Sequence, residues 1–352
     1  MKRTLKRAAL LLLKSAGVFG LVRDSAWRRR RLLILCYHGI SHQDEHLWRP
    51  GLYIEPSRLE QRLDLLRQDQ YNVLPLGGAL KLLRAKELPP RSVAITFDDG
   101  TYDFFRLGYP LLRRFGFPVT VYQTTYYSDR QIPVFNLICS YLLWKRRGKL
   151  LDKGAELGLK PPMDLRSEAN RHSIVQTLID NCARDGLDAW QKNEVASRLA
   201  ELLEIDYAEV VSKRILQLMN AREIAQLAHE GVDFQLHTHR HCMPKDKFLF
   251  QKEIRDNRES LRNTSSEEMV HFCYPSGMHS REFLPWLAEE NIISATTCDV
   301  GLAGRHTNPL LLPRVVETNS RTALEFEGWL TGVADLLAVN RAATQRYIPR
   351  GD

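Results

Sequence analysis

The sequence of 352 residues predicts an α/β fold, a distorted (β/α)7-type parallel barrel interrupted by a helical insertion. Three observations predict it. Short apolar runs alternate with segments of helical periodicity over residues 32–134, and again over 218–320. The polar residues richest in chemistry follow directly on those runs, at Asp98-Asp99 and at His237 to His241, where a parallel barrel gathers its strand ends. Between 135 and 217 the alternation stops, and Ile174, Leu178, Cys182, Val195, Leu199 and Leu202 recur at helical spacing among many charges. We read that stretch as a helical insertion serving as a lid, a partner surface or a stabilising appendage, and 321–352 as a C-terminal helix and tail.

The elements follow in order. Leu32–Cys36 is the first strand and runs into Tyr37-His38-Gly39, which places His38 at its carboxyl end. Pro56, Leu59, Leu63 and Leu66 mark a helix, with Ser57 near its start. A strand is expected at 73–76, a helix over 78–84, and the strand 93–97 ends in Asp98-Asp99-Gly100. Tyr109–Phe115 is helical, and 118–122 is the next strand. After the insertion, Asn220-Ala221-Arg222-Glu223 has a capping-box pattern and opens a helix closed by Gly231. Strand 232–236, helix 252–261, strand 270–274, and strands 292–297 and 310–316 complete the barrel.

Charge is unevenly spread. The net charge is +8, yet residues 1–31 carry ten Lys or Arg against the single acid Asp24, so the rest of the chain sums to −1. That excludes a basic nucleic-acid-binding body. Ala8–Val22 is apolar except for Lys14 and Ser15, too short for a comfortable membrane span, and no small-residue cleavage site precedes Arg28–Arg31. Two readings stand for residues 1–31: a helix lying on a membrane surface, and a helix packed on the outside of the barrel. The six cysteines are scattered, with Cys36, Cys273 and Cys298 in or beside strand-like runs, which suits core thiols in a reducing compartment. The expected location is the cytoplasm or the inner membrane face.

Asp98 and Asp99 at one strand end are costly together unless a cation binds there. His237 and His241, four apart after another strand, offer two imidazoles to the same ion. One Asp and two His make three protein ligands and leave a position for water, the catalytic arrangement.

Thr96-Phe97-Asp98-Asp99-Gly100 and His237-Thr238-x-x-His241 resemble the first two motifs of the NodB-type polysaccharide deacetylases, carbohydrate esterase family 4. The resemblance implies the NodB homology fold and metal-assisted removal of acetyl, or less often formyl, from an N-acylated amino sugar in a polymer or a lipid-linked precursor. It implies a divalent ion, zinc before cobalt, nickel or manganese, on Asp99, His237 and His241, with Asp98 as general base. Tyr274-Pro275-Ser276-Gly277 is similar to the third motif, which shapes the substrate groove, and makes the Ser276 amide the candidate oxyanion donor. Here Cys273 stands where many members have an arginine that orients the base. Leu312-Pro313-Arg314-Val315 resembles a sequence of one family subset, and Arg314 is the candidate replacement for that cation. The family often has Tyr-His at Tyr37-His38, which makes His38 a candidate for substrate contact. The usual late histidine that acts as general acid has no clear counterpart; His306 is the last histidine, and His38, a water or protonated Asp98 are the other candidates. The rival readings are an amidohydrolase or deformylase on another N-acyl substrate, and a catalytically weak glycan-binding relative.

Overall fold

The computed structural model describes residues 2–263 and 268–338. The chain folds as two compact units, one built from residues up to Thr125 together with those from Ala221 onward, the other from Tyr126–Asn220. The insertion is thus wider than the expected 135–217, because 126–134 follows the last strand before it without adding to the sheet.

The first unit holds the sheet. Its strands are β1 (Arg31–Tyr37), β2 (Asn72–Val73), β3 (Ser92–Phe97), β4 (Thr120–Gln123), β5 (Asp233–Leu236), β6 (His271–Cys273), β7 (Ser294–Thr296), β8 (Ala303–Gly304) and β9 (Val315–Val316). The spatial order β7-β6-β5-β4-β3-β1 is parallel throughout, with β2 beside the start of β3; β8 runs antiparallel to the start of β1, and β9 parallel to its end. Apart from the part-exposed Arg31, every residue of β1 and β3 is buried. That fits parallel strands covered on both faces, whose sequences read as unbroken apolar runs.

The expected strand 310–316 exists in two pieces. Leu312 bridges in parallel to Thr296, with the Thr297 N–H donating to Leu312 O at 2.9 Å, while Val315 and Val316 pair with Leu35 and Cys36. Pro313, which has no N–H to give, sits between the pieces. One short segment therefore bonds β7 at one end and β1 at the other, and the curled sheet closes through it.

Around the sheet lie α1 (Lys2–Ser15), α2 (Val18–Arg23), α3 (Pro56–Gln68), α4 (Leu76–Ala85), α5 (Tyr109–Phe115), α6 (Ala221–His229), α7 (Lys247–Leu261), α8 (Phe283–Glu289) and α9 (Ala323–Thr331). Two differ usefully from expectation. α7 starts five residues earlier than the expected 252, because Asp246 caps it by accepting from the Leu249 N–H. α4 takes over at Leu76, so the strand expected at 73–76 stops at Val73. α9 opens with a capping box between Thr322 and Glu325. The last fourteen residues of the expected C-terminal helix and tail lie outside the described ones.

The second unit is helical, as its periodicity predicts: Phe135–Lys145, Glu168–Arg184, Ala189–Leu202 and Tyr207–Ser212 are its helices, with a two-stranded ribbon of Leu150–Leu151 and Met163–Asp164.

Candidate active site

β3 ends in a turn that two consecutive left-handed residues make, Asp99 at φ 69° and Gly100 at φ 72°. Glycine is required at the second position, since a Cβ there would stand 1.9 Å from Gln123 Oε1. For Asp99 the conformation is strained, by about 1 kcal/mol or more. Thr238, His241 and Ser276 share it, at φ 61°, 55° and 55°. Twelve described non-glycine residues are left-handed, and these four fall just after β3, β5 and β6, where such strain is used by working sites.

The turn sends the two carboxylates to different partners. Asp98 is 2 % exposed and takes a two-pronged hydrogen bond from Arg314, Nη1 to Oδ1 and Nη2 to Oδ2, each 2.7 Å. Arg314 is itself fully buried, and its Nε donates to Thr297 O at 2.9 Å. Nη2 lies 3.1 Å from Cys273 Sγ, so the guanidinium arrives from β9's approach beside the residue where the sequence lacks the usual arginine. Burial opposes ionisation of Asp98, but the Arg314 charge and hydrogen bonds outweigh it, helped by His38 and His237, and hold the carboxyl well below its usual range. Breaking such a pair leaves a buried unpaired charge, at a cost of about 3–5 kcal/mol.

Asp99 faces the histidines. Its Oδ1 is 3.3 Å from His237 Nε2 and 3.3 Å from His241 Nε2, and the two rings lie edge to face with centroids 4.9 Å apart. His237 Nδ1 is 2.8 Å from Cys273 O, which fixes a proton on Nδ1 and leaves Nε2 facing Asp99. An oxygen and two imidazole nitrogens thus converge, with one imidazole already oriented by a backbone carbonyl. This donor set fits a divalent ion of zinc's kind.

His38 stands at the end of β1 with Nε2 3.6 Å from Asp98 Oδ2 and its side chain 15 % exposed. Ser276 is exposed in the turn after β6. The other three residues expected to touch substrate are buried. The Tyr274 hydroxyl donates to Leu310 O at 3.0 Å, Pro275 is covered, and a Cβ on Gly277 would meet Cys298 at 2.7 Å. They shape the turn that carries Ser276. His306 follows β8, which pairs with Arg31 and Leu32, and so lies at the opposite end of the barrel from Asp98.

Sequence reasoning missed Asn257. It is fully buried on α7, accepts from the His237 N–H at 2.9 Å, and donates to Gln123 O at 3.0 Å and Thr125 Oγ1 at 3.1 Å. Its signal was an amide on the apolar face formed by Phe250, Ile254 and Leu261.

A parallel, curled sheet with a carboxylate pair and two histidines at its strand ends is the NodB-type deacetylase fold. Solved structures share it: the Streptococcus pyogenes deacetylase PplD in complex with acetate (TM-score 0.57, 17 % identity, 85 % of this chain and 98 % of that one) and IcaB from Ammonifex degensii (TM-score 0.53, 16 % identity, 86 % and 97 %). At such identities the likeness is one of fold. In sequence, the polysaccharide deacetylase family model matches residues 85–171. YxkH of Bacillus subtilis (strain 168), whose name places it among polysaccharide deacetylases, is 31 % identical over 103 residues, 28 % of this chain and 35 % of its own length. The matched span is about a third of that relative. Over these spans the chain is similar in sequence to the polysaccharide deacetylases.

Proposed function

We propose that the protein is a metal-dependent hydrolase that removes the N-acetyl group from an amino sugar of a glycan. One observation carries the proposal: an ionised carboxylate, Asp98, clamped by Arg314 and adjacent in sequence to a three-donor cluster. Asp99, His237 and His241 are the residues that would hold a divalent ion, zinc by the chemistry of the donors. When bound, such an ion supplies a polarising centre for an amide carbonyl and a more acidic water.

This chain's own groups do the rest. Asp98, kept ionised and aimed by the guanidinium, takes the proton of the attacking water. The exposed Ser276 turn offers its backbone N–H to the developing oxyanion. Protonation of the leaving amine falls to His38, which lies beside Asp98 and is partly open to solvent. His306 is too far along the barrel to serve.

The test is acetate release from N-acetylglucosamine oligomers and lipid-linked acceptors. Metal-loaded wild-type protein should release acetate; Asp98→Asn should abolish release with metal retained, and His237→Ala should lose both. Release of formate from N-formyl acceptors alone would move the substrate class, and no release despite bound metal would leave a glycan-binding relative. For His38→Gln we expect kcat to fall about 10²–10⁴-fold at unchanged metal content, with partial recovery on acetanilide-type substrates whose better leaving groups need less acid. Equal loss on both substrate types would remove His38 from the acid role.

A further inference from the structure

Helices α1 and α2 meet the rest of their unit on one side only. Leu10 is fully buried and Phe19 nearly so, and both pack with Val333. Cations on this side are engaged: Arg7 with Glu325 at 3.6 Å, Lys14 with Glu327, and Lys6 over the Trp329 ring at 5.6 Å. The outward side is apolar. Leu5, Leu11 and Leu12 are 74 %, 58 % and 70 % exposed, Leu21 of α2 is 74 % exposed, and Ala8 is exposed as well. Leu5, Ala8 and Leu12 share one helix face, opposite Leu10. Arg29 and Arg30, also exposed, follow directly.

We propose that this face docks on an anionic lipid surface, with the leucines entering the headgroup boundary and Arg29 and Arg30 meeting acidic headgroups. Charge complementarity selects this occupant. Of the ten cations in residues 1–31, Arg7, Lys14 and Arg23 are paired with acids and Arg28 is buried, but Arg29 and Arg30 are exposed, so a second copy brought to this face would set cation against cation, whereas an anionic bilayer is the complement. Among the described residues no helix is long and apolar enough to cross a membrane, so the segment lies on the surface.

Buried Arg28, just before β1, donates to Arg31 O at 2.8 Å and to Ser92 O at 3.3 Å, the first residues of β1 and β3, which ties the segment that carries Arg29 and Arg30 to the sheet.

The experiment is flotation of the full chain with phosphatidylglycerol–phosphatidylcholine vesicles and with pure phosphatidylcholine. Binding is expected to the first only. Leu5→Ser/Leu12→Ser and Arg29→Glu/Arg30→Glu should each weaken it about tenfold or more, at unchanged melting temperature. Phe248→Ser/Leu249→Ser, exposed near the start of α7 at the catalytic end, should leave it intact. Three results overturn the proposal: no binding by the wild type, loss with the Phe248 pair in place of the Leu5 pair, or a dimer in light scattering that Leu5→Ser/Leu12→Ser disperses.

Discussion

At the residue scale the most informative atoms are those of Arg314. Its guanidinium fills the place beside Cys273 Sγ and reaches Asp98 from the last strand of the sheet. Arg314→Met should lower acetate release by about 10²-fold or more, because a misaimed base loses near-attack geometry. Restoring an arginine from the other strand, Cys273→Arg in the Arg314→Met background, should recover part of that loss in kcat with KM little changed; a double variant no better than the single one would show that position, and not charge, is decisive. His271 offers a separate pH prediction. Burial, with Lys81 and Arg84 nearby, lowers it to about 4 from 6.5, and Nδ1 lies 2.7 Å from Ser294 Oγ. A histidine whose folded value is depressed contributes stability that is fully present above 6.5 and lost as pH falls toward 4, about 3 kcal/mol in all. Equilibrium denaturation between pH 6.5 and 4 should therefore be less pH-dependent in His271→Asn than in the wild type.

At the scale of elements, α7 works as a brace through Asn257. Its amide joins the ends of β4 and β5, holding the His237 backbone while the carbonyl of Cys273 holds its ring. Asn257→Leu would keep the volume but leave the His237 N–H and Gln123 O unpaired in the interior. The expected outcome is a loss of roughly 2–4 kcal/mol in urea unfolding and a metal affinity about 10–100-fold weaker, read by titration with zinc. The elements themselves were largely legible. β1 and β3 announce themselves as apolar runs because both faces are covered, and the turn after β3 announces itself by its Asp-Asp-Gly. Illegible were features that depend on distant partners: the division of 310–316 at Pro313, the early start of α7, and an asparagine whose three bonds span 134 residues of sequence. The bond of the Tyr274 hydroxyl to Leu310 O is of the same kind, since only the packed structure brings the two together.

At the scale of the molecule, ligand binding should be visible as stability. Asp99, His237 and His241 come from two strand ends, so an ion held by all three is bound only by the folded chain. Excess zinc at about a hundred times its dissociation constant should add roughly 2.7 kcal/mol, seen as a rise in melting temperature that chelation reverses. His241→Ala should abolish the rise, and a wild-type melting temperature indifferent to zinc, cobalt, nickel and manganese alike would count against the site.

The closing segment also has a consequence in time. Asp98 and Arg314 are 216 residues apart, and the strand that completes the sheet carries the arginine with it. A ribosome adding about 5–20 residues per second makes the acid some ten to forty seconds before its partner. For that interval the nascent chain has a carboxylate that belongs in the interior without the guanidinium that neutralises it, so β3 cannot settle fully until Arg314 has been made. Chains released before residue 314 are therefore doubly marked, with an open sheet and a stranded charge, and are natural prey for proteolysis.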